Sequence, residues 1–396
     1  MADDSTPDQP GPSRQVEVYM QGMADITPDL PVGFEELEAR ALEELDEQAY
    51  DYVAGAAGAE RTKRANDAAF EDYRILPRMM GGVGERDLSI ELFGETYDYP
   101  VLLAPIGVQS ILHEDGERGT AEAARDLGIP LVVSSASDTT LEDLADELGD
   151  APKWFQLYWS ADPDVADSFV TRAEDAGYDA LVVTLDTPLL SWRERDVDSA
   201  YLPFLDGEGI ANYLADPAFR DRLSAPPEEN ELAAIKEFVD VFGNPNLTWD
   251  DLADLCERTD LPVVPKGVLH PDDARAAVNA GADAVVVSNH GGRQVDNAVP
   301  ALEMLPEVVA EVGGDVPVLF DSGVRRGADV LVAMALGADA VLFGRPYAYG
   351  LALDGADGVH EVCENLLADL DLTLGLCGLD DVEDVDRSLL RERSGR

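Results

Sequence analysis

A histidine and an arginine close together at the end of an apolar run are the strongest chemical signal in this chain. In Val287-Ser288-Asn289-His290-Gly291-Gly292-Arg293-Gln294, two glycines follow the histidine, so the backbone can turn sharply and approach a flat ligand. Imidazole titrates near neutrality, whereas guanidinium stays charged and grips a carboxylate with two hydrogen bonds. The pair therefore suits proton removal from an anionic substrate. Taken alone, the octapeptide also reads as a strand-end turn with a solvated arginine and a core histidine.

The elements that must position these groups repeat along the chain. Short apolar runs occur at Pro100 to Ala104, Pro130 to Ser134, Trp154 to Leu157, Ala180 to Leu185, Pro262 to Pro265, Ala284 to Ser288, Pro317 to Phe320 and Ala340 to Phe343. Glycine signatures such as Ala176-Gly177-Tyr178-Asp179 and Ala280-Gly281-Ala282-Asp283 precede several of them and end helices before the chain re-enters a sheet. The pattern predicts an α/β fold, a TIM (β/α)8 barrel, whose chemistry belongs on the loops after the carboxyl ends of its strands.

Polar residues gather at those ends: Ile106-Gly107, Ser134, Gln156 with Tyr158, Thr184 with Asp186, Lys266, His290 with Arg293, Asp321 to Arg325, and Gly344-Arg345. Convergence on one rim predicts a pocket with donors, one base and several cations. The last two sets resemble a phosphate cradle, with glycines freeing backbone N–H groups and arginines adding charge. Each Gly-Arg pair alone also reads as a turn bearing a surface cation.

With these motifs in order, the chain resembles the FMN-dependent α-hydroxy-acid oxidases and dehydrogenases from about Val18 to its C-terminus. Further stretches carry the resemblance: Tyr50-Asp51-Tyr52-Val53-Ala54-Gly55, Arg64-Ala65-Asn66, Ala104-Pro105-Ile106-Gly107, Phe155-Gln156-Leu157-Tyr158, Thr184-Leu185-Asp186-Thr187, Lys266-Gly267 and Gly344-Arg345-Pro346. It implies FMN as cofactor, a small 2-hydroxy acid with O2 as reactants, and a homo-oligomer, a tetramer or larger. His290 would be the base and Asp186 the carboxylate that orients it. Arg193 and Arg293 would hold the substrate carboxylate, with Tyr52 and Tyr158 as hydroxyl partners. Lys266 would lie beside the flavin ring, with Ser134, Gln156, Thr184, Ser288 and the backbone of Pro105, Ile106 and Gly107 around it. Asp321 would take the ribityl hydroxyls, and Gly323, Arg325, Gly344 and Arg345 the phosphate.

Within that family the nearest resemblance is to lactate-oxidising members, and Gly107 favours a monooxygenase branch. A glycine there leaves room for the 2-oxo product to stay while oxygen reacts, so acetate and carbon dioxide would leave in place of pyruvate. Release of the 2-oxo acid, as in an oxidase or dehydrogenase, is the alternative, with Gly107 then a simple turn glycine. From a different class, an FMN-using isoprenoid-diphosphate isomerase or an FMN-binding scaffold without chemistry would use the same barrel. Neither needs His290, Arg193 and Arg293 at one carboxylate-sized site.

Charge narrows the setting. The chain has 81 acidic and 28 basic residues among 396, a net charge of −53, yet 45% of it is hydrophobic. Such a chain has a core and is not a disordered acidic protein. Molar salt cuts the Debye length to about 3 Å and relieves self-repulsion, so a halophile's cytoplasm is expected. Nucleic-acid binding is disfavoured because no basic stripe replaces phosphate counterions.

Cys256, Cys363 and Cys377 have no paired spacing, which predicts neither disulfides nor a metal site. No membrane segment or signal peptide is expected. Residues 1–17 are expected to be disordered, 18–95 to form a helical cap with a hairpin, and 96–396 to form the barrel, with a lid at about 188–258.

Overall fold

The computed structural model describes residues 9–393. Eight parallel strands close a barrel in chain order: β1 (Val101–Leu103), β2 (Leu131–Ser134), β3 (Lys153–Tyr158), β4 (Ala180–Thr184), β5 (Val263–Val268), β6 (Val285–Val287), β7 (Val318–Phe320) and β8 (Ala340–Phe343). Side chains on both strand faces are buried, by the barrel interior on one side and by the helical ring on the other, which is why these strands read as unbroken apolar runs. The fold is the TIM barrel that the run spacing predicts. Among the described residues no helix is long and apolar enough to cross a membrane.

The amino end of the barrel is closed by a hairpin, Ile90–Leu92 with Glu95–Tyr97. Phe93 and Tyr97 pack on Trp154 at the start of β3, with ring centroids 5.5 and 6.3 Å away, and the Trp154 indole donates to the Tyr97 hydroxyl at 3.3 Å. Helices Phe34–Glu44, Glu47–Ala54 and Arg61–Phe70 precede the barrel. Tyr73–Ile75 pairs antiparallel with Leu390–Glu392, tying the cap to the C-terminal segment.

Two boundaries differ from expectation. Of the stretch expected to be disordered, residues 1–8 lie outside the described residues, whereas Pro10–Gly22 is a helix begun by proline in its first turn. It docks through polar contacts on the second part of Arg345–Leu376, two helices that meet at a kink at Asp354 and Gly355: Arg14 reaches Asn365 at 2.9 Å, Glu364 at 3.1 Å and Glu361 at 3.2 Å, and Gly11 N donates to Asp371 at 2.8 Å. The insertion after β4 also ends sooner than 258. Thr248 and Asp251 form a capping box that starts Trp249–Arg258, a helix that buries Leu252 and Leu255 in the ordinary β4-to-β5 crossover position. The insertion proper is the preceding run of helices, Glu194–Ser199, Ala211–Ala215, Pro217–Arg222 and Glu231–Val241, in the place expected for a lid. It has its own aromatic core, with Tyr213 4.8 Å from Phe238 and 5.5 Å from Phe219.

Candidate active site

At the carboxyl ends of the strands lies a cavity of about 1140 Å³, its open mouth included. Tyr52, Pro105, Ile106, Gly107, Tyr158, Arg193, Lys266, His290, Arg293, Asp321, Gly323, Arg325, Gly344 and Arg345 all line it. Ser134, Gln156, Thr184 and Ser288 are buried, and Asp186 sits behind His290.

The His290 turn is built by its neighbours. Ser288 Oγ accepts from His290 N at 3.0 Å, and Asn289 and Asn66 exchange two amide hydrogen bonds of 2.8 Å. His290 itself takes φ +57°, a left-handed conformation that this network holds. Its Nδ1 lies 2.9 Å from Asp186 Oδ1, which leaves Nε2 as the other ring nitrogen. Burial lowers the imidazole pKa, and Lys266 and Arg293 add to that, while Asp186 only partly offsets it. Burial alone would raise the Asp186 pKa, but the His290 and Lys266 charges hold it below its ordinary value. The pair rests as carboxylate and neutral imidazole.

Asp186 reaches this position because Gly267 sits opposite it. The β5–β6 register slips between Lys266 and Val268, Gly267 takes φ +104°, and a Cβ there would stand 2.6 Å from Asp186 Cβ and 2.9 Å from its backbone nitrogen. Only glycine meets both demands.

Lys266 Nζ donates to Ser288 Oγ at 3.1 Å and pairs with Asp321 at 3.0 Å. Burial opposes its charge, but Asp321 and Asp186 outweigh burial and raise its pKa. On the adjoining strand ends, Gln156 donates to Thr184 Oγ1 at 2.8 Å and accepts from Ser134 Oγ at 3.2 Å, so these three form one chain of hydroxyl and amide groups.

Two arginines share the lid side. Arg193 Nε lies 3.1 Å from Ser191 Oγ and 3.4 Å from the Arg293 carbonyl, and Arg293 stacks 5.1 Å from the centre of the Tyr52 ring and donates to Gly55 O at 3.0 Å. Burial, with Arg193 and Arg345 as like charges, pulls the Arg293 pKa down to about 9. Such a crowded cationic pair is stabilised by an incoming anion. Burial raises the Tyr158 phenol well above its usual range, so it remains a hydroxyl donor.

Two groups expected to face the cofactor are spent partly on protein. Arg345 donates to the carbonyls of Val53 (3.0 Å), Gly55 (3.0 Å) and Gly291 (3.1 Å), which makes it a strut between the Tyr52 helix and the His290 turn as well as a cavity-wall cation. Asp321, besides Lys266, accepts from Ser322 Oγ at 2.6 Å. The residues still fit FMN. Arg325 lines the cavity with its Nε buried and without a partner, although its Nη2 pairs with Asp67 at 3.1 Å and its Nη1 donates to Val324 O at 2.9 Å, and Gly344 leads into a helix N-terminus at Arg345.

Sequence reasoning missed Ser322, which takes φ +82° and whose Oγ accepts from Asn289 N at 3.2 Å and Gly291 N at 3.0 Å. Its place between Asp321 and Gly323 was the available signal. The lid residues Leu190, Phe204 and Phe242 were also missed; they line the cavity, with Phe242 5.2 Å from Tyr158. Gln294 was not singled out either, though it donates to the Asp186 carbonyl at 2.6 Å and meets Arg193 at 3.5 Å.

Comparison with known proteins agrees with this geometry. A family model described as FMN-dependent dehydrogenase matches residues 41–392. An L-lactate oxidase from Lysinibacillus sphaericus is 42% identical over 365 residues, covering 92% of this chain and 94% of that protein. An FMN-dependent alpha-hydroxy acid dehydrogenase from Schizosaccharomyces pombe is 43% identical over 389 residues, covering 96% of each. Among solved structures, mandelate oxidase with (S)-4-hydroxymandelic acid aligns with a TM-score of 0.82 at 39% identity, covering 92% of this chain and 99% of that one. Likeness of this extent, over nearly the whole chain, makes it a member of the FMN-dependent dehydrogenase family, an FMN-dependent oxidoreductase of α-hydroxy acids.

Proposed function

We propose that this enzyme oxidises a small L-2-hydroxy acid, L-lactate foremost, and that His290 is its base. The observation that carries the reading is the His290–Asp186 contact of 2.9 Å on a cavity that also holds Arg193, Arg293 and Lys266. FMN, when bound, supplies the two-electron acceptor. Neutral His290 takes a proton from the substrate, and Asp186 stabilises the imidazolium that results. Arg193 and Arg293 bind the carboxylate, Tyr52 and Tyr158 donate hydroxyl hydrogens, and Lys266 keeps positive charge where negative charge gathers. Ser134, Gln156, Thr184, Ser288 and the backbone of Pro105, Ile106 and Gly107 bind the ring, Asp321 the ribityl chain, and Gly323, Arg325, Gly344 and Arg345 the phosphate. Phe204 and Phe242 give the cavity an apolar wall against which the substituent on the α-carbon would pack.

The product branch we favour is lactate 2-monooxygenase: lactate and O2 give acetate, carbon dioxide and water, because pyruvate stays in the cavity beneath Leu190, Phe204 and Phe242 until hydrogen peroxide decarboxylates it. The lid roof supports retention better than Gly107 volume does. A Cβ at Gly107 would point at the Ala136 carbonyl, 2.5 Å away, so the space freed by glycine is already filled by the neighbouring loop. Product analysis with L-lactate in air decides the branch. Acetate with carbon dioxide bears the proposal out, whereas pyruvate with peroxide means oxidase, and pyruvate without oxygen uptake means dehydrogenase. The net charge of −53 supports a high-salt cytoplasm, and we propose a homo-oligomeric assembly, a tetramer or larger, that light scattering would measure.

A further inference from the structure

Two elements that carry opposite sides of the substrate grip are clamped together by one residue outside the cavity. Helix Glu47–Ala54 carries Tyr52, and the lid helix Glu194–Ser199 begins directly after Arg193. Arg195 lies between them: Nη1 donates to Asp51 at 3.0 Å, Nη2 donates to Glu60 at 3.0 Å, and Nε lies 2.7 Å from the other Glu60 oxygen. Backbone contacts follow the same seam, with Gly58 N donating to Trp192 O at 2.8 Å. From this geometry we propose that Arg195 is a positioning residue that fixes the gap between Tyr52 and Arg193; the inference rests on the 2-hydroxy-acid reading of the cavity.

Burial and charge give the clamp its strength. The side chains of Arg195, Asp51 and Glu60 are 33%, 21% and 16% exposed, so the ions are screened less than a free surface pair. Asp196 adds a third carboxylate on the lid side. It lies 3.6 Å from Arg193 and its Oδ1 is buried without a partner; burial raises its pKa, the Arg293 and Arg193 charges oppose that, and Asp51 adds a weaker like charge. Without Arg195, Asp51 and Glu60 lose the cation that ties them to the helix Glu194–Ser199, while Asp196 keeps Arg193 as its own partner. The tie is then lost and the gap is free to widen. Misplacing one side of a two-sided grip by about 1 Å costs on the order of 10²-fold when chemistry depends on the pose, and less when only binding does.

The test compares wild-type holoenzyme with Arg195→Ala, Arg195→Lys and Tyr52→Phe. Arg195→Ala should raise KM for L-lactate, and Kd for pyruvate as a non-reacting ligand, by about tenfold with kcat changed by less than about twofold. Arg195→Lys restores charge but not the fork, so its KM should fall between the two. In the Tyr52→Phe background Arg195→Ala should add little, because the two act through one contact and double-mutant effects on a shared contact are non-additive. Amide hydrogen exchange should quicken at 47–60 and 192–201 in Arg195→Ala and slow again in Arg195→Lys. Additive KM effects, or unchanged exchange along the seam, would overturn the proposal. Should Arg195→Ala not fold, Arg195→Lys and Arg195→Gln carry both readouts. If wild-type enzyme oxidises no 2-hydroxy acid, the substrate reading fails, while the exchange comparison still decides the clamp.

Discussion

Burial draws the His290 pKa below 6.5, and Lys266 and Arg293 draw it further, against Asp186. The active form of a base is the neutral one. Its working range therefore extends to lower pH than a free imidazole allows, and the acid limb of kcat/KM should have its midpoint below about 6.5. A midpoint above that value would assign the limb to another group. His290→Gln should cut the rate of flavin reduction by about 10²- to 10⁴-fold while FMN remains bound, as stopped-flow spectra would show. Reduction at more than a tenth of the wild-type rate would remove His290 from the role. Lys266→Ala should slow flavin reduction more than it weakens substrate binding, whereas Arg193→Lys should mainly raise the substrate Kd, because an ammonium cannot reproduce a bidentate fork. At this scale the sequence was legible wherever a reactive group ends an apolar run. His290, Lys266 and Arg293 were visible for that reason. Ser322 and Gln294 were not, because much of their work is to bind backbone, and a serine or glutamine in a turn carries no mark of which partner it meets.

Elements were legible in proportion to how local their reasons are. Each barrel strand is buried on both faces and bounded by turn residues, so its sequence states its structure. The helix Pro10–Gly22 shows the opposite case. Val16, Tyr19 and Met20 are exposed and Gly11 is its one buried residue, so no apolar stripe announces a helix. What holds it is charge from 350 residues away in sequence on a partner helix, which local pattern cannot contain. The anchor is Asp371, fully buried, which accepts from Gly11 N at 2.8 Å and from Arg86 Nη2 at 2.8 Å. Asp371→Ala should therefore leave the Arg86 guanidinium without its carboxylate, with only the Val83 carbonyl accepting from Nη1 at 2.9 Å, and cost about 3 kcal/mol. Chemical denaturation would measure the loss, and hydrogen exchange should quicken at 10–22. A loss below about 1 kcal/mol would mean the helix is held elsewhere. The insertion after β4 was hard to read for a related reason: three of its four helices have only five or six residues, too short to show a period.

For the whole molecule the governing quantity is the excess of 53 negative charges, 81 acidic against 28 basic residues. Two effects of salt oppose each other. Screening weakens ion pairs such as Arg118–Asp143 and Arg326–Glu35, but exposed pairs of this kind contribute only about 0–1 kcal/mol each. Screening also relieves repulsion among the unpaired acids, which acts over the full surface. At 0.1 M salt the Debye length of about 10 Å spans neighbouring surface carboxylates, and at 1 M it falls to about 3 Å, shorter than most of their separations. Relief should win, and the thermal midpoint should rise by several degrees or more from 0.1 to 1 M KCl and continue upward. Chloride is the informative salt, since sulfate would also strengthen apolar burial by exclusion from the surface. The cavity should respond differently: its cations are buried, so KM for L-lactate should change less with salt than the midpoint does. A midpoint that stays level or falls between 0.1 and 1 M KCl would mean that paired charges, and not the unpaired acids, dominate the surface energetics.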